Sequence, residues 1–385
     1  MMKKYNLLLP IAGKAQRFLD AGYTMPKPLI FANHKHVIDW SLESVKTDDC
    51  NLIFIVRLDH IYNFSIDKIL KQKFGNDIQI VVLDKVTRGA LETCVLAEKY
   101  IDNNLPLLVY TPDVYFEPQF DPESIDVDSD GFLLTFLANS SDHSYSDCDV
   151  NGKVSRVVEK EVVSEHANVG LYYFRTGKEF LKYGKEVIDK NMLVKNEFYI
   201  APMYNLMVRD GLHITCADTE KMHVLGTPQT LEFFSDRVTS KFGDKPIALA
   251  CDHSGFDLKE KTKTILEMKG IDYIDVGTYV NKSCDYYDYV SQAISLINSN
   301  ECDYAISLCR SGQGVNLAAN KSDGILSGLI FDSYTAEYSI RHNCVNHFAI
   351  PSKYVDVKTM EEIIDKLRVT TFDGGRHFTR LNKFL

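Results

Sequence analysis

No apolar run in this 385-residue sequence approaches the roughly 18–20 residues that a helix needs to cross a bilayer. That argues against a membrane protein built from helices. There is no Cys-x-x-Cys pair and no regular cysteine spacing, although nine cysteines are present. An odd, scattered set points to reduced thiols and a cytoplasmic address rather than a disulfide framework. Positive charge is not in excess: Lys and Arg number 43 against 53 Asp and Glu, a formal net charge of −10. This argues against a general nucleic-acid binder. Anionic small molecules stay open as substrates, because a few local Arg and Lys residues decide those. No internal repeat or low-complexity tract occurs. The first ten residues have the outline of a signal peptide, but their apolar stretch is too short. It leads straight into a glycine-containing motif, so a buried first strand is expected instead.

What is present is ordinary for a soluble globular chain: 45% hydrophobic and 25% charged residues. The length suggests two domains. Apolar runs at 5–11, 52–56, 78–83 and 106–110 alternate with helix-like stretches near 36–46, 65–74 and 89–100. That alternation predicts α/β layers with a largely parallel sheet. From 132 to 175 the pattern becomes strand-rich, with a turn signal at Asn151-Gly152, and a helix-like stretch runs from Tyr199 to Val208. Alternation restarts after Pro246. Strands are expected at 247–251, 272–276, 303–308, 325–330 and 346–350, and helices near 256–269, 286–298, 314–320, 333–342 and 357–368. The polar, turn-prone segment 241–246 marks the junction, so the expected domains are 1–240 and 246–385.

In the first half, the opening strand runs into Gly13, followed by Arg17 and then Met25-Pro-Lys-Pro-Leu29. A glycine after a strand lets backbone amides approach phosphate, and Arg17 and Lys27 can neutralise triphosphate charge. The loop and the Pro-Lys-Pro segment together resemble the signature of the sugar-phosphate nucleotidyltransferases. The resemblance continues over about 235 residues. It implies that Thr87–Thr93 forms the nucleobase loop, with Gly89 packed close to the base. It also implies that Asp113 binds Mg²⁺, and that Glu159, Lys160, Asn168 and Gly170 bind the sugar phosphate. Gly226-Thr-Pro228 resembles the family's closing motif. Two departures stand out. Ala15 replaces the loop's second glycine, and Met222-His-Val-Leu225 replaces a stretch that usually carries a second metal-binding Asp. His223 could substitute for that Asp or could simply be packed.

The second half carries four motifs: Cys251-Asp-His-Ser-Gly-Phe256, Cys309-Arg-Ser-Gly-Gln-Gly314, Arg341-His-Asn343 and Gly374-Gly-Arg-His-Phe-Thr-Arg380. They resemble, in order, those of the type B ribose-5-phosphate isomerases and the related galactose-6-phosphate isomerases. The resemblance implies Cys309 as the base that moves a proton between C1 and C2. Ser311, where relatives have Thr, would relay a proton, and Asp252 and His342 would open the sugar ring. His253, Arg376 and Arg380 would bind phosphate. Asp285, Tyr286, Gly312, Gly314 and Asn320 complete the expected sugar-phosphate contacts. Such chemistry needs a base, an oxyanion site and an acid/base pair for ring opening. Arg310 stands where relatives usually have Gly. It would cost strain if the position needs a positive φ, or it could place a cation beside the enediolate or alter substrate choice. The family shares each site between subunits, which implies a homodimer or a larger homo-oligomer.

The expectation is therefore an α/β protein with a Rossmann-like nucleotidyltransferase domain on a mixed sheet, followed by a doubly wound parallel-sheet isomerase domain. Its expected function is bifunctional: Mg²⁺-dependent transfer from an NTP, with CTP favoured, to a sugar phosphate, and aldose–ketose isomerisation of a pentose 5-phosphate. Supply of a nucleotide sugar or nucleotide polyol for surface or capsule polysaccharide would be its context. Neither nucleic acid nor membrane is an expected partner. Two alternatives remain: an isomerase regulated by a nucleotide-binding domain, and a non-catalytic sugar-phosphate sensor.

Overall fold

The computed structural model describes residues 3–32, 35–381 and 383, without the side chains of Asp236 and Thr379. The chain divides into two compact units, Met1–Glu232 and Phe233–Leu385. The division falls before the polar stretch at 241–246, for an aromatic reason. Phe233 already packs on Phe372 and Phe378, with ring centroids 5.6 and 4.7 Å apart, and Phe242 packs on Tyr304 and Phe348. These rings commit residues ahead of the turn to the second core.

The first unit is organised by the strand Tyr5–Pro10. Leu7, Leu8 and Leu9 are all fully buried, as a parallel strand covered on both faces requires. Leu8 points into one core cluster, and Leu7 and Leu9 into the other. The buried amide of Asn6 donates to Asn103 Oδ1 and accepts from Asn51 Nδ2, both at 3.0 Å. This strand pairs parallel with Cys50–Arg57 and with Leu107–Tyr110, and Cys50–Arg57 pairs parallel with Gln79–Leu83. Beyond Leu107–Tyr110 the sheet reverses. His166–Phe174 runs antiparallel to it and to Gly131–Leu137, and the hairpin of Ser144–Cys148 and Val154–Glu159 extends that edge. Ile214–Asp218 pairs parallel with Gly131–Leu137. The result is the expected mixed sheet, of nine strands. The expected helix at 89–100 is broken into Ala90–Val95 and Glu98–Ile101. Separately, Lys221–Val224 pairs antiparallel with Val114–Glu117.

The second unit is a five-stranded parallel sheet in the order Tyr273–Asp275, Ile247–Cys251, Ala305–Cys309, His347–Pro351, Ser327–Leu329. Ile247, Leu249 and Cys251 face one core cluster, while Ala248 and Ala250 face another. Helices must therefore cover both faces, and they do, as in a doubly wound fold. Among the described residues no helix is long and apolar enough to cross a membrane.

Ala15 caps the short helix Gln16–Asp20 in the left-handed region, at φ 50° and ψ 43°. The methyl group makes this conformation costly, which is the physical reason a glycine suits the position. Ala15→Gly should therefore raise stability by up to about 1 kcal/mol, after allowing for the freer unfolded chain. The check is the urea unfolding midpoint of the full chain. A lower midpoint in the variant would show that packing of the methyl outweighs the backbone cost.

Candidate active sites

In the first unit the expected site residues gather at the carboxyl ends of the parallel strands. Gly13 follows Tyr5–Pro10, the 84–89 loop follows Gln79–Leu83, and Asp113 follows Leu107–Tyr110. Open parallel sheets place ligands at this edge. Lys27 reaches Asp113, with Nζ 3.2 Å from Oδ2, and both side chains are partly exposed. Leu225 donates its backbone N–H to the Asp113 carbonyl at 2.7 Å, so the closing motif's Gly226 lies against the Asp113 carboxylate. On the other side, Thr111 donates N–H and Oγ1 to the Gly170 carbonyl at 2.9 and 3.2 Å. Gly89 has φ +152°, and a Cβ there would collide with the Phe198 backbone. The base loop thus lies directly against that segment. Arg17 is exposed on the helix Gln16–Asp20.

The sugar-side residues are placed less uniformly. Burial raises the Glu159 carboxyl to about 7, so near neutral pH it divides between a proton-donating and a charged form. Lys160, at φ 58°, donates from Nζ to the Tyr199 hydroxyl at 2.6 Å. Asn168 is buried and its amide is engaged: Oδ1 accepts from Ser146 Oγ at 2.7 Å, and Nδ2 donates to Ser144 Oγ at 2.9 Å. In this way Asn168 braces neighbouring strands. His223 is packed, stacked on Tyr115 at 6.0 Å, and burial lowers its pKa to about 4. The carboxylate of Asp113 is a hard oxygen donor. One carboxylate with substrate phosphates and water suits Mg²⁺, which often binds in that way, so the residues present fit this ion. Thr111 and Tyr199 drew no role from the sequence, because only their hydrogen bonds to Gly170 and Lys160 give them one.

In the second unit, Asp252 is buried and follows the strand Ile247–Cys251. Its Oδ1 accepts from the N–H groups of Ser254 at 2.8 Å and Gly255 at 3.1 Å, and burial holds its carboxyl above the usual range. His253 Nδ1 accepts the Cys284 N–H at 3.3 Å. This leaves the ring proton on Nε2, a donor suited to a phosphate oxygen. Cys309 ends the strand Ala305–Cys309 and is 5% exposed. Ser311 Oγ lies 3.4 Å from the Gln313 N–H. Gly312 takes φ +72° at the start of the helix Gln313–Ala319, where a side chain would also collide with Leu329. The Tyr286 ring lies against Gly314, within 3 Å of where a Cβ would be. Arg310 is exposed and is not among the residues of positive φ, so the strain considered for it does not arise.

Two of the expected contact residues hold structural hydrogen bonds. Asp285 caps the helix Tyr286–Asn298 by accepting from Tyr287 N–H at 2.9 Å, and its negative charge suits a helix start better than a phosphate. Asn320 donates to the Ser327 carbonyl at 3.0 Å and accepts the Ser327 N–H at 2.9 Å. Both ends of its amide tie the helix to the edge strand.

His342, Arg376 and Arg380 lie elsewhere. The helix Ser333–Asn343 starts just after the carboxyl end of Ser327–Leu329 and runs back to the amino end of His347–Pro351. Eleven residues carry it about 16 Å. His342 is in its last turn, and the helix Gly375–Leu381, which bears Arg376 and Arg380, packs beside it. These groups occupy the amino edge of the sheet, opposite Asp252 and Cys309. A single copy does not bring them together. At the amino edge His342 stacks on His377, with centroids 4.0 Å apart and planes 11° apart. Burial lowers both imidazole pKa values, that of His377 to about 4. His377 lies inside a quoted motif but drew no role from the sequence, because only its contact with His342 gives it one.

Residues 247–384 match the Ribose/Galactose Isomerase family model, and residues 8–197 match the Nucleotidyl transferase model. Ribose-5-phosphate isomerase B of Escherichia coli is 36% identical over 137 residues, covering 36% of this chain and 92% of that protein. The crystal structure of a ribose 5-phosphate isomerase of Thermotoga maritima is 40% identical, covering 36% of this chain and 97% of that one, with a TM-score of 0.36. The nucleoside-diphosphate-sugar pyrophosphorylase of Vibrio cholerae is 26% identical and superposes with a TM-score of 0.53, covering 59% of this chain and 98% of that one. The chain belongs to the ribose/galactose isomerase family through its second unit, and it carries a nucleotidyl transferase domain ahead of it.

Proposed function

We propose that both units are catalytic and serve one route. The second unit interconverts pentose 5-phosphates, and the first transfers a nucleotidyl group from an NTP to a phosphorylated acceptor, releasing pyrophosphate. The product would be a nucleotide sugar or nucleotide polyol for surface polysaccharide. The observation that carries this reading is that each unit keeps its reacting groups at the carboxyl edge of its parallel strands. Asp113 is bracketed there by Lys27, Thr111 and Gly226, and Cys309 adjoins the 310–314 loop.

In the first unit, Lys27 would exchange its contact with Asp113 for a phosphate oxygen, and the exposed Arg17 would hold a second phosphate. Asp113 would hold Mg²⁺, whose positive charge would reduce the repulsion between two anions. Protonated Glu159 would donate to an acceptor hydroxyl. In the second unit, Cys309 would take the proton from C2 of the aldose and return it at C1 of the ketose. The amides of the 310–314 loop would hold the enediolate oxygens. His253 would donate from Nε2 to the phosphate. Because His342, Arg376 and Arg380 lie at the opposite edge, a second copy would supply them, which makes the active form a homodimer at least.

Asp113→Asn should lower pyrophosphate release by at least about 100-fold, the scale of losing one electrostatic group at a reacting centre, and leave isomerisation unchanged. Unaltered release in Mg²⁺ would remove Asp113 from the site. Cys309→Ala should slow isomerisation by about 10²–10⁴-fold, as expected for a lost general base. Mixed with Arg376→Ala chains, it should recover up to about a quarter of wild-type activity, because half the dimers are hybrids with one intact site of two. Proven subunit exchange without any recovery would assign all the groups to one chain.

The acceptor poses a chemical tension. Sugar nucleotidyltransferases commonly use 1-phosphates, whereas isomerisation needs C1 free and phosphate at the far carbon. An acceptor phosphorylated on its terminal carbon, a ketose phosphate or its reduced polyol, resolves this. With CTP and Mg²⁺, ribose 5-phosphate processed by the wild-type chain should yield a nucleoside diphosphate linked through a primary carbon, read by mass spectrometry. Turnover confined to sugar 1-phosphates would discard that acceptor and require a mutase between the two steps.

A further inference from the structure

At the amino edge of the second sheet, three side chains converge that no reaction step described above uses together. One ligand atom from each of His342, Asp373 and His377 lies within 4.8 Å of the other two. Two arrive on different helices, Ser333–Asn343 and Gly375–Leu381, and Asp373 lies in the loop just before the second. The loop is fixed to the first helix: Asp373 N–H donates to the Arg341 carbonyl at 2.9 Å. Its carboxylate is held by Arg341, with Nε 3.1 Å from Oδ2 and Nη2 3.0 Å from Oδ2. Both Asp373 and His377 are buried.

We propose that His342, Asp373 and His377 form a binding site for a first-row transition cation such as Zn²⁺, and that its occupation switches off isomerisation by engaging His342. Two imidazoles and one carboxylate, with an open fourth position, are a usual ligand set for Zn²⁺. Arg341 orients the carboxylate from behind, as outer partners of metal ligands do. At a metal–nitrogen distance of about 2.0–2.1 Å, tetrahedral ligand atoms lie about 3.4 Å apart. The stacked rings must therefore splay and close by roughly 1 Å or more, a movement of side-chain torsions. Arg376 and Arg380 lie near enough to oppose a cation, so the site should favour ions that bind imidazole strongly over Mg²⁺ or Ca²⁺. A bound ion would take a lone pair of His342 that ring opening needs. The inhibitory consequence rests on the isomerase reading above; the binding does not.

The test uses the full chain. Competition with a chromophoric chelator should give one Zn²⁺ per chain, and Cu²⁺ bound at the same stoichiometry should show hyperfine coupling to two imidazole nitrogens in its electron paramagnetic resonance spectrum. His377→Gln should weaken Zn²⁺ binding by more than about 10-fold, the scale that even an outer partner of a ligand commands, and reduce the Cu²⁺ signal to one nitrogen. Stoichiometric Zn²⁺ should abolish isomerisation of ribose 5-phosphate and leave pyrophosphate release unchanged. Equal affinity in wild type and His377→Gln would overturn the site. If that variant fails to fold, fewer than two nitrogens in the wild-type spectrum overturns it instead. Full isomerase activity with Zn²⁺ bound would overturn the switch. A two-nitrogen Cu²⁺ spectrum from a chain that does not isomerise even when freed of metal would retain the site and sink the isomerase reading.

Discussion

Parallel pairing of buried strands is the constraint on which both units depend. A parallel pair cannot be closed by a tight turn, so each connection must cross the sheet, usually as a helix. The strands are then covered on both faces and must be apolar throughout, which is why Leu7, Leu8 and Leu9 are all buried, as are the five residues Ile247–Cys251. All the turns that leave the carboxyl ends lie along one edge. Polar side chains and free amides excluded from the strands collect there. Gly13, Gly89 and Asp113 in one unit, and Asp252, Cys309 and Gly312 in the other, share that position without sharing a motif.

The same rule explains why His342, Arg376 and Arg380 lie at the opposite edge of the sheet from Cys309. A crossover helix that begins near the carboxyl edge must end near the amino edge. His342 is carried by such a helix, and the terminal helix with Arg376 and Arg380 packs where it ends. Separation of these groups from Cys309 follows from strand direction and helix length, not from any local irregularity.

Much of this was legible in the sequence, and for identifiable reasons. Alternating apolar runs announced parallel α/β order in both halves, since burial on both faces leaves an unmistakable continuous pattern. Motifs located Asp252 and Cys309 at strand ends because a glycine-containing turn follows each, and Asp113 because the apolar run before it stops at Thr111-Pro112. What stayed hidden was how polar side chains spend their hydrogen bonds. Asn168 reads as a ligand in one dimension, but two serines from a neighbouring strand take both ends of its amide. Asp285 and Asn320 are likewise occupied by backbone groups. Arg310 looked strained because a glycine is usual there, yet the turn places its positive φ two residues on, at Gly312. The contact of His377 with His342 joins residues 35 positions apart, by subtraction of their numbers, and no periodicity signals it.

Electrostatics then accounts for how an acidic chain can handle anionic substrates. The formal charge of −10 is a property of the whole surface, whereas phosphate binding responds to charges within about a Debye length, roughly 8–10 Å. At the first site the only ion pair beside the expected metal position, Lys27 with Asp113 among the described residues, is partly open to water. Such pairs contribute little to stability, so separating them costs little. The lysine can move to a phosphate and the carboxylate to a cation in one exchange that leaves no charge unpaired. A fully buried pair could not make that exchange, because each partner would lose its counter-ion in a low dielectric before gaining another. The contrast lies within the same chain. Lys259, fully buried against Asp275 at 2.7 Å, is locked in place by the same physics that leaves Lys27 free to change partners.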